Sequence, residues 1–146
     1  MLISDVINAK SSQDVITTSP DATVRDLIAQ LAEHNVGALI VSNDGTRVDG
    51  IVSERDVVRR LHRDENVLDA PVSSIMTSKV RTCERTQSVT ELMQLMTEHR
   101  FRHVPVVEPD GSLVGIISIG DVVKSRMSEL EFERDQLDSY VHSSQT

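Results

Sequence analysis

Two serine–aspartate pairs sit in matching frames, Gly50-Ile51-Val52-Ser53-Glu54-Arg55-Asp56 and Gly115-Ile116-Ile117-Ser118-Ile119-Gly120-Asp121. In each, an apolar β-type run leads into a helical pattern, so the serine and the aspartate fall in a first helical turn. Ser-x-x-Asp there is close to a capping box, in which the hydroxyl accepts from a backbone amide and the acid reaches back to the cap. A carboxylate in a first turn also suits the helix dipole. The same helix mouth has a second use. Its free amides suit a phosphate, and the serine hydroxyl adds a donor. An ionised aspartate only accepts hydrogen bonds, so two adjacent ribose hydroxyls match it. The glycine lets the backbone come close. One copy alone reads as a cap. Two copies at one fixed offset point to binding.

The basic residues around the two frames are unequal. Arg102 and His103 precede the second buried strand, where the first copy has Gly37 and Ala38. Arg55 lies inside the first frame, where the second has Gly120. Arg102 and His103 could neutralise phosphates, the arginine by bidentate contact. Two clefts of different affinity are therefore expected, with the Asp121 cleft the tighter and phosphate binding at Asp56 the weaker. None of the five histidines has zinc-ligand spacing, so no metal is expected. Ser, His and Asp all occur, but no nucleophile elbow does, so no catalytic residue is assigned. Cys83 reads as a small buried side chain matching Thr18.

These residues are placed by a unit written twice. Residues 14–58 and 79–123 align without a gap at an offset of 65, with Val15, Thr17, Val24, Leu27 and Glu33-His34 matching Val80, Thr82, Val89, Leu92 and Glu98-His99. The period is too long for most solenoid repeats and implies two half-domains packed with pseudo-two-fold symmetry. Each copy reads as strand, helix, strand, strand, helix, an α/β (α+β) fold. Residues 14–18 form a short strand. Thr23 caps a helix, with Asp26 three residues on and Val24, Leu27, Ile28 and Leu31 at helical spacing. Ala38–Val41 is a buried strand, Asn43-Asp44-Gly45 a hairpin turn, and Val48–Val52 its partner. The second copy repeats this, with Val89, Leu92, Met93 and Met96 as its core helix stripe. Pro105, matching Ile40, demands an edge or a bulge. The divisions are 1–64 for the first repeat, 65–78 for a linker, 79–127 for the second repeat and 128–146 for a C-terminal helical extension. From Gly120 a helix runs to about Val141. Its stripe of Val123, Met127, Leu130, Leu137 and Val141 needs another surface, most simply the same helix of a second subunit.

Composition removes several alternatives. The 146 residues carry a net charge of −8, 2% aromatics and no Trp. That field repels nucleic acid, and no stacking platform for single strands exists. No apolar run approaches the roughly 20 residues of a membrane span. A single cysteine and a start without signal-peptide character fit a reducing, cytoplasmic setting.

With these residues in view, the chain resembles a pair of cystathionine-β-synthase-type (CBS) domains, a Bateman module. The resemblance rests on Gly50–Val58, Pro71-Val72-Ser73-Ser74-Ile75-Met76-Thr77, Phe101-Arg102-His103-Val104-Pro105-Val106-Val107 and Gly115–Val123. The tail Ser128–Glu133 is similar to that of a stand-alone bacterial subgroup with plant mitochondrial relatives. The resemblance implies a βαββα fold written twice and a flat disc formed by two copies, a homodimer. It implies adenine nucleotide ligands: AMP, ADP or ATP, S-adenosylmethionine, or NAD(H). Asp56 and Asp121 would hold ribose, Ser53 and Ser118 would supply hydroxyls, and Arg102 and His103 would face phosphates. Adenine would rest on Gln13 and Val36 in the Asp121 cleft and on Ser78 and Phe101 in the Asp56 cleft. A regulatory sensor acting on an unknown protein partner follows, rather than an enzyme. The competing reading is a ligand-free dimerisation or adaptor module.

Overall fold

The computed structural model describes residues 1–10 and 15–144. The first repeat comprises β1 (Thr17–Thr18), α2 (Val24–His34), β2 (Ala38–Val41), β3 (Gly50–Ser53) and α3 (Glu54–Arg63), preceded by a short helix α1 (Ile3–Asn8). The second comprises α4 (Val89–His99), β4 (His103–Val107), β5 (Leu113–Ser118) and α5 (Ile119–Ser144). Two short 3-10 turns, Val67–Asp69 and Val72–Ser74, lie between them. The mixed α/β fold read from the sequence is thus present, long last helix included.

Local chemistry accounts for the elements. Thr23 accepts from the Asp26 amide at 3.1 Å while Asp26 accepts from the Thr23 amide at 3.2 Å, so α2 starts on a capping box. Ser88 accepts from the Glu91 amide to start α4. Both helices end on a left-handed residue, Asn35 and its counterpart Arg100. The hairpin turns carry Gly45 and Gly111 at φ +77° and +89°, a region glycine enters without strain. Val24, Leu27 and Leu31 are buried, as are Val89, Leu92 and Met96. Ile28 and Met93, which the spacing placed on the core stripe, lie at its margin and stay 39% and 40% exposed.

In the first repeat β1 pairs parallel to β2 and β2 antiparallel to β3. The second has only β4 antiparallel to β5, plus a single parallel bridge from Cys83 to Val106. Thr18–Val41 is the matching bridge of the first repeat, and there Thr17 also pairs with Ile40. Pro105 stands where Ile40 does, and its missing N–H removes that second link. The expected first strand of the second repeat therefore shrinks to one bridge, and the ladder shifts register between Val106 and Val107. Cys83 is buried, and burial pushes its thiol up to about 12.

Each half also contributes a segment to the other's core. Ile3, Val6 and Ile7 of α1 pack with Val89, Leu92, Val104 and Ile117 of the second repeat. Val67, Val72 and Ile75 of the connecting segment pack with Val24, Leu27, Val41 and Val52 of the first. The exchange is symmetric: Leu2 bridges to Ser88 as Pro71 does to Thr23. The hairpin loops meet as well, with the Leu113 amide on Thr46 O at 2.7 Å and the Arg47 guanidinium on Asp110 O.

Gly50 and Gly115 are the contact points of these exchanged segments. A Cβ on Gly50 would lie 2.7 Å from Met76 Sδ and 2.9 Å from the Thr77 carbonyl oxygen; one on Gly115 would meet only Ile7 Cδ1, at 3.3 Å. Gly50→Ala should therefore lower stability by about 1–3 kcal/mol, and Gly115→Ala by less than ~1 kcal/mol, in urea unfolding. Equal losses would show that the connecting segment yields as readily as α1.

Candidate functional site

A cleft of about 480 Å³ opens along the seam between the repeats. Its floor is the mouth of α3, with Ser53, Glu54, Arg55 and Asp56; Gly37, Ala38 and Ile51 flank it. Across the seam stand Thr77, Lys79, Val80 and Arg81, and then His99 through His103. The His99 and Phe101 rings stack in this wall, centroids 5.5 Å apart and 17° from parallel.

Both aspartates tie off their own helices. Asp56 Oδ2 accepts from the Ser53 amide at 2.8 Å and from the Ser53 hydroxyl at 3.1 Å, and the Asp56 amide donates to Ser53 Oγ. Asp121 Oδ2 accepts from the Ser118 amide at 2.9 Å, and the Asp121 amide donates to Ser118 Oγ. One oxygen does this work in each. Asp56 Oδ1 takes no partner among the described residues, and the residue lines the cleft. Capping and ligand binding, alternatives on the sequence, can share one carboxylate.

Asp121 is in a different state. Lys10 Nζ donates to its Oδ2 at 3.0 Å and to the Ile116 carbonyl at 2.8 Å. Burial, the largest influence, raises the Asp121 carboxyl, but the Ser118 amide and Lys10 outweigh it and hold the group below the usual carboxylate range.

The cleft at Asp56 gathers Ser53, Arg55, Asp56, Phe101, Arg102 and His103 from the expected site residues. Ser118 and Asp121 lie outside its lining, as does the exposed Val36. Ser78 is also outside it, although its neighbours Thr77 and Lys79 are in the wall. Gln13 lies outside the described residues. Arg102 and His103 belong to the second repeat in sequence but face the Asp56 side, because the seam sets each repeat's edge against the other's helix mouth. Sequence reading missed Arg59, Lys79, Arg81, Arg100 and Lys10. Arg59 was within reach, being four residues from Arg55 on one helix face. The others arrive by tertiary contact, Lys10 from 111 residues away.

The cleft is strongly cationic within an acidic chain. Arg55, Arg59, Lys79, Arg81, Arg100 and Arg102 face only Glu54 and Asp56, and among the described residues none of the six forms an ion pair. Such a concentration of unpaired guanidinium and ammonium groups suits phosphate. His103 lies between the two helix mouths. It pairs with Ser118 across the β4–β5 ladder, and its Cε1 is 3.7 Å from a Cβ built on Gly37. Burial pushes its imidazole below the usual histidine value; Asp121 and Glu54 pull it back, and Lys10 and Arg102 add to the depression. Among the described residues no three His, Cys, Asp or Glu side chains gather as a metal site would need, and no helix is long and apolar enough to cross a membrane.

A sequence profile of the CBS domain matches residues 3–63 and 72–128. The mitochondrial CBS domain-containing protein CBSX3 of Arabidopsis thaliana is 35% identical over 95% of this chain and 71% of its own length. Among solved structures, a putative signal-transduction protein with CBS domains from Burkholderia ambifaria is 43% identical, with a TM-score of 0.81 over 88% of this chain and 95% of that one. A CBS domain protein of Pyrobaculum aerophilum, complexed with AMP, is 31% identical, with a TM-score of 0.73 over 83% of this chain and 89% of its own.

The depressed imidazole has a measurable consequence. Between its lowered value and the ordinary 6.5, the unfolded chain binds more protons at His103 than the folded chain does. Stability therefore rises with pH through that window and falls as pH falls through it, with no further change from this group below. The urea midpoint of the wild type should drop more between pH 7.5 and 5.5 than that of His103→Gln. Parallel curves would mean that the imidazole carries no burial penalty.

Proposed function

The chain belongs to the CBS-domain family, and on that premise we propose that it is a regulatory adenine-nucleotide-binding protein, with the ligand held in the cleft at Asp56. The observation that carries this is the meeting, in one seam, of a half-used carboxylate at a helix mouth with six unpaired cations. The ribose diol donates to Asp56 Oδ1, leaving the capping bonds of Oδ2 in place. The phosphates lie among Arg55, Arg59, Arg81 and Arg102. The adenine rests on the apolar faces of Val80 and Ile51 and the stacked Phe101 ring. The AMP bound by the Pyrobaculum relative supports this ligand class. ADP, ATP and NAD(H) share its adenosine and bring further charge for the remaining cations. No nucleophile or base is assigned, so binding acts by biasing the arrangement of the two repeats presented to a protein partner, an energy- or redox-sensing role. A second copy as homodimer partner belongs to the same reading.

The adaptor alternative draws on the same capping geometry, since a carboxylate already closing its helix needs no ligand. Calorimetry separates the two. AMP, ATP and NADH should bind with a Kd below about 1 mM, that is, more favourably than roughly −4 kcal/mol. Failure of all three, and of S-adenosylmethionine as well, would favour the adaptor. Asp56→Ala removes two charge-assisted hydrogen bonds and should weaken binding by at least about tenfold. It should do so more than Asp121→Ala, because Asp121 lies outside the cleft's lining and has its charge already paired with Lys10.

The cation cluster makes a separate statement. Affinity should rise from adenosine to AMP to ATP and fall with salt, because unpaired surface charges are screened at a Debye length of about 8 Å in physiological salt. Phosphate beside His103 also favours its charged form, so affinity should rise as pH falls from 8 to 6, and His103→Gln should flatten that slope. A salt-independent, pH-independent affinity would place the phosphates elsewhere.

A further inference from the structure

The segments exchanged across the seam are a matched pair. Met1 O accepts from the Val89 amide as Ala70 O does from the Val24 amide. Leu2 bridges to Ser88 as Pro71 does to Thr23, and Ile7 faces Gly115 as Met76 faces Gly50. The same spacing carries Asn8 onto Thr77 and Lys10 onto Lys79. Each helix mouth thus receives one lysine, Lys79 in the cleft with Asp56 and Lys10 beside Asp121. The two are in different states. Thr77 pairs its N–H and C=O with Ile51, at 2.9 and 3.0 Å, so backbone takes the Ile51 carbonyl. Lys79 stands in the cleft wall and forms no ion pair among the described residues. Asn8 is still inside α1, and the Ile116 carbonyl, counterpart of that of Ile51, accepts from Lys10 Nζ at 2.8 Å. That anchor holds the ammonium 3.0 Å from Asp121 Oδ2.

On the nucleotide reading of the Asp56 cleft, we infer that Lys10 is a built-in plug, which keeps a second nucleotide-binding mouth at Asp121 closed by occupying the carboxylate that a ribose diol would take. An ammonium only donates, and a diol facing an ionised carboxylate also donates, so the two compete for one acceptor. The lysine has the advantage of attachment, which gives it a high effective concentration at Asp121. Both side chains are well covered, at 29% and 25% exposed, so salt screens the pair less than one on the open surface. The ammonium also cancels the charge with which a carboxylate grips a diol strongly. A nucleotide therefore meets an Asp121 mouth whose apparent affinity is cut to the fraction of time that Lys10 is away. The duplicated frame keeps its cap at both helices, and the lysine alone decides which aspartate is available.

Calorimetry with AMP on the full chain tests it. The wild type should bind one AMP per chain, at Asp56. Lys10→Met should bind two, the added site at least about tenfold tighter than the same site in the wild type. Adding Asp121→Ala to Lys10→Met should remove the second event alone. Two AMP of comparable affinity on the wild type, or no gain in Lys10→Met, would overturn the inference. A loss in Lys10→Met would make the lysine a ligand contact and overturn it as well. The wild type reads the Asp56 cleft separately. If AMP fails there while Lys10→Met gains a site that Asp121→Ala abolishes, the assignment to Asp56 falls and the plug stands. Lysine acetylation of the ligand-free chain, read by peptide mass spectrometry, covers an unstable Lys10→Met. Asp121→Asn should speed the labelling of Lys10 by about threefold or more and leave Lys79 unchanged. An unchanged Lys10 rate would show that nothing holds the ammonium and would overturn the inference.

Discussion

The start of a helix leaves backbone amides without partners, and here the same device closes that deficit at both strand–helix junctions. Serine takes one amide and an aspartate three residues on takes another. This constraint fixes where chemistry can sit. It holds a carboxylate rigidly at the carboxyl end of a strand, with the unused oxygen directed by the used one. The side chain is ordered by its own cap, so the entropy of fixing it is already spent in folding. A functional carboxylate and a structural one are then the same group seen from opposite sides.

Duplication supplies two such groups, and small departures from symmetry decide what each does. Gly37 and Ala38 leave room on the first repeat's edge, into which the His103 ring and Glu54 reach. On the second repeat's edge the same positions hold Arg102, which supplies charge, and the half-buried His103. Lys10 comes from a segment exchanged across the seam and occupies Asp121. Pro105 removes one ladder bond on the second side only. None of these changes disturbs the hydrophobic scaffold, because each falls on an edge or a helix mouth rather than in the two apolar clusters.

That division explains how far the sequence could be read. Periodicity and capping are local, so α2, α4, the hairpin turns and the length of α5 were legible from residues within one or two turns of each other. The repeat offset carried the reading further, since Ser53 and Ser118 could be equated before either was placed. Contact across the seam was not legible. Arg102 and His103 line the Asp56 cleft from across the seam, and His103 lies in the field of Asp121 as well, a juxtaposition no local pattern announces. Lys10 and α1 gave no periodic signal strong enough to predict their place in the second core. The reduction of the second repeat's first strand was half-legible: Pro105 announced an irregular edge but not which bond would be lost.

The exchange of segments also limits how the protein can respond to a ligand. Separating the repeats would pull Ile3, Val6 and Ile7 out of one core and Val67, Val72 and Ile75 out of the other. Burial of each such side chain is worth about 1.5–3 kcal/mol, far more than the few kcal/mol a small ligand can direct at one state over another. Opening of the seam is therefore outside the reach of nucleotide binding. Any response compatible with intact cores is confined to small adjustments at the seam. There His103 is the imidazole that both helix mouths influence, Glu54 from one side and Asp121 with Lys10 from the other.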